Sequence, residues 1–174
     1  MSRTWFTNPL AVFTATDEDA SGGVVIEESQ IVELVPVGGA PKQGHDQTFD
    51  AGRHVILPGL INTHHHFYQT LTRAWAPVVN TQLFPWLTNL YPVWARLTPE
   101  DLELATTVAL AELLLSGCTL AADHHYLFPA GMESAIDVQV DVARRLGVRV
   151  LLTRGSMTLG ERDGGDGGQR ERQF

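Results

Sequence analysis

Residues 113–125 read LLLSGCTLAADHH. An apolar helical run stops at Gly117, a β-type run starts at once at Cys118, and polar residues close it at Asp123, His124 and His125. The same grammar returns at residues 144–155, RRLGVRVLLTRG, where Gly147 separates a helix from the run Val148–Gly155. The two strand starts lie about 30 residues apart, the spacing of a βαβ crossover. Repeated units of this kind predict a parallel sheet, either open and doubly wound or closed as a (β/α)8 barrel.

The helix before the first copy, within LTPEDLELATTVALAELLLSG (97–117), has clear ends. Thr98 is a good N-cap, Pro99 suits the first helical position, and Glu100 and Asp101 put negative charge in the first turn. A second helix is predicted over about 132–146. Upstream, VILPGLINTHH (55–65) reads as an earlier strand, which gives three βα units at most. Residues 1–57 read differently. Short β-rich runs, Val24–Ile26 and Ile31–Val37, flank a polar Glu27-Glu28-Ser29 turn. VGGAPKQGHDQ is a loop by composition, and Gly52 and Pro58 punctuate the short β-type pieces of TFDAGRHVILPG. The predicted organisation is an N-terminal β-sandwich part over 1–57, the start of a barrel over 58–160, and a disordered polar tail over 161–174. A (β/α)8 barrel typically needs about 250 residues, so the barrel is predicted to be incomplete.

Bulk composition narrows the function classes. The chain has 174 residues, 44% hydrophobic and 18% charged, with a formal net charge of -8 and a pI of about 5.2. An acidic chain without a Lys/Arg cluster is a poor partner for nucleic acid or an anionic membrane. The single cysteine, Cys118, forms no internal disulfide. The N-terminus MSRTWFTNPLAVF has no secretory pattern, and no apolar run approaches a membrane span. The expected location is cytoplasmic.

Five of the seven histidines stand at two predicted strand ends. Side chains alternate along a strand, so His64 and His66 share a face and His65 takes the other. Two imidazoles two residues apart can ligate one metal ion, and strand C-termini are where barrel enzymes place their sites. The competing reading is a solvated polar strand end. For the second cluster, one reading makes Asp123 and His124 a hydrogen-bonded strand terminus with His125 exposed. The other gives it substrate contacts; metal ligation ranks below both.

The stretch LPGLINTHHHFYQTLTR (57–73) resembles the metal-dependent amidohydrolase superfamily, whose members enter a (β/α)8 barrel through a PG-[LF]-[ILV]-[ND]-x-H-x-H motif after a small β-sandwich. LFPWLTNLYPVWARLTPEDLELATTVALAELLLSGCTLAADHHYLFP (83–129) and LTRGSMTLGERDGG (152–165) are similar to its aminohydrolase branch, which includes guanine and cytosine deaminases and s-triazine hydrolases.

The resemblance implies that His64 and His66 are the first two ligands of one catalytic zinc, although imidazole also suits iron or manganese. It implies a purine pocket holding Gln69, walled by Trp86 in an FPWL loop, with Phe84 packed in the loop core; the substrate-contact reading of the second cluster adds His125 to that pocket. Arg154 faces either the site or the outer surface. The implied reaction is deamination of a purine-like ring by metal-activated water, foremost 8-oxoguanine to urate and ammonia, with an s-triazine or another heterocycle as the alternative. A homo-oligomer is left open for full-length relatives. The general base and remaining ligands are expected beyond residue 174, so this chain alone is expected to bind zinc weakly and to turn nothing over. A non-catalytic fragment, or half of a split barrel, is the reading from another class.

Overall fold

The computed structural model describes residues 2–16 and 18–156. The expected polar tail from 161 lies outside them. The chain divides into two compact units, Met1–Pro58 and Gly59–Phe174.

The first unit is all β. Strands β1 (Arg3–Thr7), β3 (Gly23–Glu27), β4 (Gln30–Val35) and β5 (Gln47–Asp50) form a sheet of order β4-β3-β1-β5. β1 runs antiparallel to β3 and parallel to β5. β2 (Ala11–Val12) and β6 (Val55–Ile56) make a separate parallel pair. The hairpin β3–β4 turns at Glu28, whose φ of 54° is the left-handed conformation such tight turns require. Val24, Val25 and Val35 are buried. Gly23 has no substitute here, because a Cβ would stand 2.0 Å from the Phe6 carbonyl oxygen and its φ is +120°.

The second unit is α/β. β7 (Leu60–Asn62), β8 (Cys118–His125) and β9 (Arg149–Arg154) form a parallel sheet of order β7-β8-β9. Gly59 sets the approach of β7 to β8, since a Cβ there would lie 2.1 Å from Thr119 Oγ1. α2 (Pro99–Leu115) is capped reciprocally by Thr98 and Asp101. α3 (Ala135–Leu146) starts three residues later than predicted, after Ser134, and ends on Gly147 in the left-handed conformation. Phe67, Ala109, Leu110, Ala121, Val142 and Val148 form the core between these helices and the sheet.

A helix corrects the expected FPWL loop. α1 spans Leu83–Trp94, so Trp86 is helical. Leu87, Leu90, Tyr91 and Trp94 recur at helical spacing and are all buried, with Tyr68, Leu102 and Met132 in the same cluster. Pro85 lies in the first turn, where no intrahelical donor is needed; Pro92, near the C-terminus, removes one bond. Phe84, in the first turn of α1, is 65% exposed, which corrects its expected place in a core.

Candidate metal centre and adjoining cavity

β7 stops at Asn62, so His64, His65 and His66 follow the strand instead of ending it. The Asn62 side chain accepts a bond from the His64 N–H (3.2 Å), and a short 3-10 helix starts at Phe67. The neighbouring strand end supplies the order. His124 N–H donates to the His65 carbonyl at 2.8 Å, and His66 Nδ1 lies 2.7 Å from the His124 carbonyl. A carbonyl only accepts, so Nδ1 carries the proton and Nε2 keeps its lone pair. Phe67 N–H donates to Asp123 Oδ1 at 2.6 Å. These bonds gather three imidazoles. The His64 ring centroid is 4.9 Å from that of His66 and 4.6 Å from that of His124, on which it stacks. His65 turns the other way and packs on Phe67.

Burial, followed by the neighbouring imidazoles, lowers the pKa of His66, although the bond to His124 opposes this. The neutral ring is the form that ligates a metal. A metal-bound histidine usually donates its other N–H to a carbonyl or carboxylate, as His66 does here. Two neighbouring imidazoles, one of them held through Nδ1 so that Nε2 is left as the lone-pair donor, fit a divalent metal as part of a donor set. Among the described residues no group of three or more His, Cys, Asp or Glu side chains is arranged to hold a metal ion.

A cavity of about 560 Å³ adjoins His66 and is lined by Gln69, Trp86, Leu87, Tyr91 and Tyr126, with Gly155 and Ser156 from the end of β9. Its volume suits a small ligand. A second hollow of about 250 Å³ shares Gln69 and Trp86 and continues past Trp75 and Arg73. Gln69 Nε2 donates to the Tyr68 hydroxyl at 3.2 Å. Trp86 packs edge-on against Trp94, with centroids 5.2 Å apart.

His125 belongs elsewhere. It is 0% exposed and does not line the cavity, which corrects both the exposed strand end and the substrate contact expected of it. Its Nε2–H donates to the Leu127 carbonyl at 2.7 Å, and Tyr68 and Phe128 pack edge-on against the ring. Burial drives its pKa down to about 4. Asp123, also 0% exposed, accepts a second bond from Gln139 Nε2 at 2.7 Å, and burial pushes its carboxyl up to about 6 despite both bonds. Arg154 lies over the Phe128 ring, 4.3 Å from its centroid. Sequence reasoning gave no role to Tyr91 or Leu87; their spacing beside Trp86 was the signal, obscured by two prolines.

The amidohydrolase family model matches residues 55–173. The chain is 72% identical over 165 residues to an 8-oxoguanine deaminase of Pseudomonas aeruginosa, covering 95% of this chain and 37% of that protein. It is 41% identical over 129 residues to a hydroxydechloroatrazine ethylaminohydrolase of Pseudomonas sp. strain ADP, covering 72% and 27%. An atrazine chlorohydrolase from Arthrobacter aurescens TC1, solved in complex with zinc, superimposes with a TM-score of 0.80 at 30% identity, over 95% of this chain and 38% of that one. The chain thus spans little more than a third of the length of these proteins, or less. No helix among the described residues is long and apolar enough to cross a membrane. On the match across residues 55–173 and these identities, the chain belongs to the amidohydrolase family.

Proposed function

We propose that this chain supplies the metal-holding and ring-holding part of a zinc-dependent hydrolase that deaminates a purine-like heterocycle, foremost 8-oxoguanine plus water to urate plus ammonia. β7, β8 and β9 are then the first three strands of a (β/α)8 barrel, and the N-terminal unit is part of a β-sandwich. The observation that carries this reading is the 72% identity to an 8-oxoguanine deaminase over 95% of the chain, at a site where a cavity adjoins His66.

His64 and His66 would hold the metal, and zinc is the choice that the zinc-bound relative favours. When bound, such an ion makes water available as hydroxide near neutral pH. The chain's own residues do the rest. Burial favours the neutral ring, and the bond from His66 Nδ1 to the His124 carbonyl orients it and leaves Nε2 as the lone-pair donor. Trp86, Leu87, Tyr91 and Tyr126 offer apolar walls for a flat ring and shut out water, which strengthens polar contacts inside. Gln69, tethered to Tyr68, offers the remainder of its amide to polar atoms on the ring edge. His125 is left out, because nothing in the cavity reaches it. A small-molecule ligand and a cytoplasmic location complete the proposal.

A second reading, an s-triazine substrate, draws on the hydroxydechloroatrazine and atrazine hydrolases among the relatives. Calorimetry of the zinc-loaded chain with 8-oxoguanine and with a hydroxy-s-triazine separates the two. The expected result is binding of 8-oxoguanine, weakened about tenfold or more by Gln69→Leu and by Trp86→Ala, with no ammonia released above a His64→Ala control. Preference for the triazine would overturn the purine assignment, and ammonia release above that control would overturn the expectation that the chain alone is inactive.

A further inference from the structure

Asp123 is a buried carboxylate that the proposed chemistry does not use. It does not line the cavity, yet it sits behind the histidines. Three bonds in succession tie residues 65–67 to the end of β8. His65 O accepts from His124 N, His66 Nδ1 donates to His124 O, and Phe67 N donates to Asp123 Oδ1. The last is the shortest, at 2.6 Å, and its acceptor is the only carboxylate of the three. Phe67 directly follows His66, so this bond fixes the backbone on which the His66 ring is hung. Gln139 of α3 holds the other carboxylate oxygen from behind, and the Gln139 Oε1 atom is buried with no hydrogen-bond partner among the described residues.

We propose that Asp123 is a positioning residue for the metal pair: through the Phe67 N–H it keeps His66 on the His124 carbonyl, with Nε2 turned to the ion. This rests on the reading of His64 and His66 as metal ligands. The geometry also says which substitutions are tolerated. Asn at 123 keeps an acceptor for Phe67 N–H. Its amide nitrogen would face Gln139, whose own amide can turn to offer the unused Oε1. Ala at 123 leaves the Phe67 N–H and the Gln139 amide buried and unpaired.

The test uses the whole 174-residue chain and two readouts. Zinc affinity is measured by competition titration, and the tautomer of His66 by nitrogen-15 NMR without metal. Asp123→Asn should keep zinc affinity within about threefold and leave His66 as the Nδ1–H tautomer. Asp123→Ala should lose about ten- to a hundredfold in affinity, the usual effect of removing a residue that supports a metal ligand, and should give mixed tautomers. An Ala variant that keeps both properties, or an Asn variant that loses as much as Ala, overturns the proposal. If Asp123→Ala does not fold, Gln139→Leu, which removes only the outer hold, carries the test. A several-fold loss then supports the role, and unchanged affinity and tautomer overturn it. Failure of the metal reading is seen separately, as zinc binding that survives His64→Ala and His66→Ala while the His66 tautomer still responds to residue 123.

Discussion

His64 and His66 follow β7, and His124 and His125 end β8, yet these neighbouring pairs meet different fates. β7 is only three residues long, so its histidines stand past the pleat and take their orientation from bonds to the next strand. β8 runs a full eight residues, and its pleat reaches the last of them. Alternation therefore sends His124 toward His64 and sends His125, with Asp123, the other way into packed aromatic and helical surroundings. Residue type says little here. Position past the ladder, or the face that alternation gives within it, decides whether an imidazole joins the His64–His66 cluster or the core.

The largest expected effect breaks the comparison directly. His64→Ala with His66→Ala should abolish zinc binding, a loss of more than about a hundredfold, whereas His125→Ala should leave zinc affinity within about twofold and instead destabilise the chain by about 2–4 kcal/mol. Competition titration and urea unfolding measure the two. Equal loss of zinc affinity in both variants would erase the distinction.

Trp94→Ala should cost about 3–5 kcal/mol, because Trp94 is fully buried at the centre of the α1 cluster and its indole N–H donates to Thr72 Oγ1 at 3.1 Å. Urea unfolding shows whether α1 belongs to the cooperative core. A loss below about 1 kcal/mol would mean that it does not.

The buried pair at the end of β8, Asp123 and His125, has an acid–base signature. His125 titrates near 4 in the folded chain against 6.5 ordinarily, so its stabilising effect is present above pH 6.5 and is lost as pH falls from 6.5 to 4. Asp123 titrates near 6 against 3.8, so its effect is present below pH 3.8 and is lost as pH rises from 3.8 to 6. Each amounts to about 3 kcal/mol, and the two oppose each other over the same window. Asp123→Asn removes one of them. Relative to the native chain, this variant should therefore gain about 3 kcal/mol on going from about pH 4 to pH 7, read from urea unfolding at each pH. A difference independent of pH would contradict the assignment of buried, oppositely shifted groups.

The smallest effect lies far from the histidines. Thr98→Ala removes the reciprocal cap of α2 and should cost about 1 kcal/mol in thermal unfolding, with zinc affinity unchanged.

Local and non-local physics divide what the sequence carried from what it hid. The helix–Gly–strand repeats were legible because Thr98, Pro99, Gly117 and Gly147 act locally, and so was the β character of the first 57 residues. The nearness of His64 and His66 was legible from their spacing. α1 was not, because Pro85 and Pro92 outweighed the spacing of Leu87, Leu90, Tyr91 and Trp94. The burial of His125 was not either. Which face of β8 meets the helices depends on contacts with Gln139, Tyr68 and Phe128, all more than two positions away in sequence.

The central claim is that His64 and His66 hold a divalent metal beside the cavity. It is tested most directly by anomalous diffraction at the zinc absorption edge from crystals of the chain grown with zinc. The expected result is one strong zinc signal bound by the imidazoles of His64 and His66. A zinc signal that avoids both histidines, or sits at another cluster while these two stay metal-free, would contradict it.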